Sequence, residues 1–347
     1  MKYFISFGAG QKQEELLKAS KGSGFKNIAV VRKKDTFKRK LIDKIIFGSS
    51  YDHRNILKKL NKISKIDDIL FRSSGPAILS YYQVSKKYFI NRLDKNLSRI
   101  IYSKFFLYNY LKKKNFDLPK SYLVKNKIIK NLRDKNFIIK PDAPIVGKKN
   151  IFFIHQDSKL KKIKKFLNLS NSCSDNKKSC FSQYIKGEDI TAFFFKSKSS
   201  RIIESVNYIQ EFNKFNTFGK LVKFGSFSPT IHKNFNVINK RVKFYGQKLG
   251  KLFPAYYGFY SLSFKNNNKG LLLYEVNVGL SGDSFVEKIY PKFHKKNAFI
   301  VEIENINGKI RKKIFKEKKN IFVGILKRNN ILYEKKKFII KLNNEIN

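Results

Sequence analysis

The sequence predicts an α/β chain, and three stretches carry that expectation. An apolar run, Tyr3 to Phe7, ends in the turn Gly8-Ala9-Gly10-Gln11 and passes through a helical pattern (Leu16, Leu17, Ala19) into a second apolar run, Ile28 to Val31. Such a β-turn-α-β opening is the first unit of an open parallel sheet. In mid-chain, Phe137-Ile-Ile-Lys140 and Ile151 to Ile154 flank a loop holding Gly147, Lys148 and Lys149, the pattern of a hairpin whose tip can cover phosphates. Further on, Gly270-Leu-Leu-Leu-Tyr-Glu275-Val-Asn277 reads as a buried strand running into a loop at Gly279 and Gly282.

The totals bound the rest. A chain of 347 residues supports about two to three domains and a sizeable core. Its net charge of +50 suggests phosphate-backbone binding, but the lysines are spread along nearly every block of ten, beside an excess of Asn and Ile. All three residues have A/T-rich codons, so the basicity is read as compositional bias, with a general attraction for anionic substrates. Cys173 and Cys180 make no disulfide framework, and with four scattered histidines they make no zinc pattern, so a reducing cytoplasm is expected. The first residues lack a signal-peptide core, and no apolar run approaches the roughly 18 residues that span a bilayer, so no membrane contact is expected.

Taken in order, Ile45 to Phe47 and Ile69 to Phe71 are expected strands, with a helix over Ile56 to Ile63 between them. Ser73-Ser74-Gly75-Pro76 falls at the carboxyl end of a strand, where ligands of such sheets sit. Gly8-x-Gly10 lacks the third glycine of a dinucleotide fingerprint. From Leu97 to Lys114 the periodicity is helical, and Ser121 to Val124 begins a new strand. Lys140 closes an otherwise apolar run, so its ammonium needs an anionic partner or water. Lys159 to Leu167 is a basic helix, Asn168 to Ser179 a polar linker, and Cys180 to Phe195 a strand, a turn at Gly187 and a second strand. A β-rich stretch to Pro229, a helix through Val242, Tyr245, Leu249 and Leu252, and a strand from Phe259 to Phe264 follow. After Pro291 the apolar runs Phe299 to Ile303, Ile321 to Leu326 and Phe338 to Leu342 are expected as a small set of strands.

Alternation along a strand points Glu275 and Asn277 the same way, roughly 6 to 7 Å apart. A carboxylate and an amide oxygen are hard donors suited to Mg²⁺, which takes its other ligands from phosphates and water. That is the equipment of a nucleoside triphosphate site.

With these pieces placed, the chain from about Tyr3 to Tyr290 resembles the ATP-grasp superfamily, which includes biotin carboxylase, D-alanine:D-alanine ligase and the synthetase domains of carbamoyl phosphate synthase. Ser103-Lys104, opening a helix that ends in Phe116-Asp-Leu-Pro119, is similar to the family's Asp-Lys, helix and Gly-Ile-x-x-Pro turn, which implies that Lys104 contacts phosphates. Ile139-Lys140-Pro141 is similar to the second nucleotide lysine, and Val146 to Lys149, with Gly147 and Lys148, to the loop over the β- and γ-phosphates. Gln183-Tyr184-Ile185 stands where the family has Glu-x-apolar, implying adenine contacts from the Tyr184 and Ile185 backbone. Asp189 takes the ribose-binding position, and Glu275-Val-Asn277 matches the metal-binding Glu-x-Asn.

The resemblance implies a Rossmann-like N-terminal domain over 1–96, a two-lobed ATP-grasp domain over 97–292 with lobes 97–185 and 186–292, and a small β-rich C-terminal segment over 293–347. It implies ATP and Mg²⁺ as cofactors, with a carboxylate activated as an acyl phosphate and an amine or similar nucleophile displacing phosphate. Small-molecule carboxylate and amine substrates are the expected partners, without membrane or nucleic acid, and a homo-oligomer is compatible with the pattern. Three positions depart from it. The strand before Glu275 reads Tyr260-Ser-Leu-Ser-Phe264 with no carboxylate, leaving Ser263 or Asp283 to substitute through water. The adenine-site acid is Gln183, and Gly279 stands where some members carry an arginine. The alternatives are an ATP-binding protein without turnover and, from another class, a basic nucleic-acid-binding protein.

Overall fold

A computed structural model describes residues 2–346 apart from 73–74, 125–135, 146–148, 229–234, 269, 281–284, 316–321 and 327–330. The opening motif folds as its pattern predicts. Strands β1 (Tyr3–Phe7), β2 (Lys26–Val31), β3 (Lys44–Phe47) and β4 (Asp68–Leu70) form a parallel sheet in the order β3-β2-β1-β4. Helix α1 (Gln11–Gly22) follows the glycine turn, where Gly8 takes φ +108° and its N–H donates to the Val30 carbonyl at 2.9 Å. Helices α2 (His53–Lys59) and α3 (Ile78–Lys87) bury Ile56, Ile78, Tyr81 and Val84 in a core shared with Ile5, Ile28 and Ile69.

The helical run expected from Leu97 is two helices, α4 (Lys95–Tyr102) and α5 (Lys104–Lys112). Ser103 interrupts it in an extended conformation, and its Oγ accepts from the Phe106 N–H at 3.1 Å. A serine competes with the helix ladder for backbone donors, and here it wins as an N-cap. A second sheet follows, antiparallel in the order β5-β8-β6-β7, from β5 (Ser121–Leu123), β6 (Phe137–Pro141), β7 (Phe152–Ile154) and β8 (Ser179–Gln183). Helix α6 (Leu160–Ser172) packs Ile163 and Phe166 on Phe137, Ile139, Phe152 and Phe181. The polar linker expected from Asn168 is therefore helical for its first turn: Ser170 lies on the buried face, fully enclosed, and tertiary packing overrides weak propensity.

The largest sheet runs β13-β12-β9-β10-β11-β14-β15, antiparallel throughout. Its strands are β9 (Glu188–Lys196), β10 (Ile203–Phe215), β11 (Leu221–Ser228), β12 (Gly258–Asn267), β13 (Gly270–Val278), β14 (Val323–Leu326) and β15 (Ile331–Leu332). One face carries Ile190, Ala192, Phe194, Leu262 and Phe264 against Val242, Tyr245 and Leu249 of α7 (Phe235–Leu252). The period-2 alternation sends Asp189, Thr191, Ser261, Ser263, Glu275 and Asn277 to the other.

Beyond Pro291, two of the three apolar runs expected as strands are helical. Phe299 to Ile303 lies in α9 (Ala298–Ile306), which follows a single turn, α8 (Tyr290–Phe293), and Phe338 to Leu342 lies in α10 (Lys335–Ile346). A short apolar run does not by itself separate a buried helix from a buried strand. Phe338 and Leu342 are one helical turn apart, and both pack on Phe227 and Leu326. Only Val323–Leu326 is extended as expected, and it joins the large sheet beside β11.

Two contacts lock the parallel sheet to the large one. Arg92, fully buried, donates to the Ile69 carbonyl at 2.8 Å and the Tyr257 carbonyl at 2.9 Å, and pairs with Asp68 and Glu302. At the end of β13 the Leu280 N–H donates to the Phe71 carbonyl at 3.2 Å. Gly279 takes φ +82°, and a Cβ there would lie 2.5 Å from the Cβ of Phe71, so the close approach and the left-handed backbone both require glycine. The strand carrying Glu275 is thereby held against the carboxyl edge of the parallel sheet.

Candidate functional site

The chemistry begins at Asp142, just after β6. Its carboxylate, 2% exposed, accepts from Ser103 Oγ at 2.9 and 3.0 Å, the Phe105 N–H at 2.8 Å, Asn176 Nδ2 at 2.7 Å and Cys180 Sγ at 3.1 Å, while its carbonyl accepts from the Lys104 N–H at 3.0 Å. The start of α5, and with it Lys104, is thus pinned to the end of β6, which delivers Lys140. Lys104 Nζ lies 2.7 Å from Glu275 Oε1. Lys140 is half-buried; burial, reinforced by the Lys104 charge, lowers its pKa to about 8, and Glu275 and Asp142 oppose that shift.

On β13 the register slips between Ser263 and Phe264, so that Tyr274 is the extra residue of a β-bulge. Its hydroxyl bonds to Asp189, and burial together with Asp189, Glu211 and Glu275 pushes its pKa far up. Asp189 also pairs with Lys265 Nζ at 2.9 Å and accepts from Asn213 Nδ2 at 2.9 Å. Three partners leave its carboxylate about one further acceptor position.

These groups frame a cavity of about 500 Å³ lined by Lys104, Lys140, Lys149, Gln183, Tyr184, Ile185, Asp189 and Glu275. Eight of the candidate residues named from sequence therefore share one space, delivered by helix α5, the second sheet with its connecting segments, and the large sheet. Asn277 is exposed in an adjoining cavity of about 950 Å³, and Lys104 and Glu275 line both, standing at the junction. Gly147, Lys148 and Asp283 lie outside the described residues. Ser263 pairs in register with Glu275 on one side and Thr191 on the other, with its hydroxyl 3.0 Å from that of Thr191. The Tyr184 N–H donates to the Asn136 carbonyl at 3.1 Å, so any base contact from Tyr184 falls to its carbonyl.

The larger cavity opens at the carboxyl ends of β1, β2 and β3, with Gly8 to Gly10, Arg32 and Ser49 to Tyr51 along its wall, the region where open sheets bind ligands. Sequence reasoning missed Asp142, Tyr274 and the pair Glu211–Lys223, 2.8 Å apart in that wall. For Asp142 a signal existed, an acid two residues after the lysine that closes an apolar run. For Glu211 there was none, since only the pairing of β10 with β9 brings it beside Asp189.

The Glu275 carboxylate at the junction and the Asn277 amide in the adjoining cavity are hard donors that could hold a Mg²⁺ ion bound mainly through phosphate oxygens. Among the described residues no cluster of three or more His, Cys, Asp or Glu could hold a metal by itself. Both cysteines are free, and no helix among the described residues is long and apolar enough to cross a membrane.

No family model and no curated protein sequence matches the chain. Solved structures do. The N5-carboxyaminoimidazole synthetase of Staphylococcus aureus, complexed with ADP, superposes over 99% of this chain and 85% of its own, with TM-score 0.72 at 14% identity. The biotin carboxylase domain of Hydrogenobacter thermophilus 2-oxoglutarate carboxylase, in complex with MgADP, ADP and bicarbonate, covers 93% of this chain and 73% of its own, with TM-score 0.69 at 13% identity. The L-amino acid ligase of Bacillus licheniformis covers 93% and 79%, with TM-score 0.69 at 10% identity. The layers, the sheet order and these superpositions agree: the chain has the ATP-grasp fold.

Proposed function

We propose that this chain is an ATP- and Mg²⁺-dependent ligase that activates a carboxylate as an acyl phosphate and joins it to an amine or similar nucleophile. One observation carries the proposal: seven of the nine nucleotide residues expected from sequence, all of those within the described residues, line a single cavity, and its lysine–glutamate junction opens directly onto a second cavity large enough for an acceptor. Structures of the same fold hold ADP or MgADP, which supports a nucleotide in the smaller cavity.

In this reading Lys104, Lys140 and Lys149 hold the polyphosphate, and the Tyr184–Ile185 backbone and Asp189 receive base and ribose. Glu275 and Asn277 hold Mg²⁺, which when bound neutralises phosphate charge during transfer. On nucleotide binding the Lys104 ammonium exchanges its Glu275 partner for phosphate. The acceptor carboxylate approaches from the larger cavity, where enclosure excludes water and directs the phosphoryl group to it. The nucleophile then displaces phosphate. A reducing cytoplasm is part of the reading, supported by the two free thiols. A screen of metabolite pools for Mg²⁺- and ATP-dependent phosphate release tests it, the expected result being release with one carboxylate–amine combination. Nucleotide binding with no release in any pool would support the second reading, ATP binding without turnover, which Ser263 favours by standing opposite Glu275 in place of an acid.

The lowered pKa of Lys140 sets a pH dependence. Its charged form is the one that binds phosphate, and above about pH 8 the free protein has lost that proton. Affinity for the β,γ-imido analogue of ATP is therefore expected to be level below that pH and to weaken by up to about tenfold per unit above it. Calorimetric titrations from about pH 6.5 to about pH 9.5 check this, and a flat profile would remove Lys140 from the phosphate site.

A further inference from the structure

We propose that the base end of the smaller cavity accepts guanosine as well as adenosine triphosphates, an inference that rests on the nucleotide reading above. Gln183, exposed at the end of β8, lines that end of the cavity. A carboxylate there would only accept hydrogen bonds and so select the 6-amino group of adenine. An amide both donates and accepts, and serves a 6-amino or a 6-oxo purine by turning over.

The neighbouring groups point the same way. The Tyr184 N–H is engaged by the Asn136 carbonyl at 3.1 Å, so Tyr184 offers the base its carbonyl alone, a partner for an amino group. Lys186 and Lys214 line the same cavity, and ammonium donors suit the oxygen and ring nitrogen on the outer edge of guanine. The carboxylate of Asp189 is already held by Lys265, Asn213 and Tyr274.

Aromatic rings add stacking. Phe153 from β7, Tyr184 just after β8 and Phe215 from β10 all line the cavity, with ring centroids 4.9 Å apart for Phe153–Tyr184, 5.5 Å for Phe153–Phe215 and 6.2 Å for Tyr184–Phe215. Stacking on aromatic rings is tolerant of base identity, because every base has a π-face, and it favours the larger purines.

The test titrates the full-length protein with the Mg²⁺ complexes of the β,γ-imido analogues of ATP and GTP, and with CTP, by calorimetry. The two purine analogues are expected to bind within about tenfold of one another and CTP more weakly by at least about tenfold. Gln183→Glu is expected to raise the adenosine-to-guanosine affinity ratio by about tenfold, since the carboxylate repels the acceptor edge of guanine. Binding of the ATP analogue with none of the GTP analogue overturns the inference and leaves the nucleotide reading standing. Binding of neither overturns both.

Discussion

Glu275→Gln is expected to abolish phosphate release while leaving the fold intact. The carboxylate sits 2.7 Å from Lys104 Nζ and 29% of its side chain is exposed, so a glutamine of the same size fits without repacking. What it loses is charge. It no longer balances Lys104, and a neutral amide is a poor partner for a hard divalent ion. Removing one group aimed at charge that develops in a transition state costs about 10²- to 10³-fold in turnover, and loss of the metal adds to that. Turnover assays beside circular dichroism check it: an unchanged spectrum with activity lost is the expected pair, and unchanged turnover would take Glu275 out of the metal site.

Asp142→Ala is expected to damage stability and nucleotide affinity together. The change strips the acceptor from four donors, Ser103, the Phe105 N–H, Asn176 and Cys180, at a carboxylate that is 2% exposed. Breaking a buried charged network by removing one member costs about 3 to 5 kcal/mol. The cost falls on the junction that starts α5, so Lys104 loses its placement beside Glu275. Urea denaturation and calorimetric binding of the ATP analogue measure the two effects. A loss below about 1 kcal/mol would show that the network does not hold the junction.

Local patterns were legible because their causes are local. The Gly8 turn, the strand that ends in Lys140 and the alternation of Glu275 with Asn277 follow from glycine geometry and the two-residue period of a strand, and each stands where the sequence placed it. Lys104 opens α5 because Ser103 caps it, again a signal three residues long. What escaped depends on partners distant in sequence. Tyr274 reaches Asp189 only because the register slips by one residue at Ser263, a feature set by how two strands fit rather than by either alone. Glu211 and Lys223 enter the larger cavity through the pairing of β10 with its neighbours. Beyond Pro291, Phe299 and Phe338 sit in short apolar runs whose periodicity does not choose between helix and strand, and the packing against Phe227 and the core around β12 decided it.

The departures at Ser263 and Gly279 are structural as well as chemical. Gly279 cannot carry an arginine, because Phe71 fills the space a side chain would need.

A crystal structure of the protein with Mg²⁺ and the β,γ-imido analogue of ATP addresses the whole account at once. The phosphates are expected between Lys104 and Lys140, with the metal on Glu275 and Asn277 and the base against Tyr184. A nucleotide bound elsewhere, or phosphates out of reach of both lysines and Glu275, would contradict it.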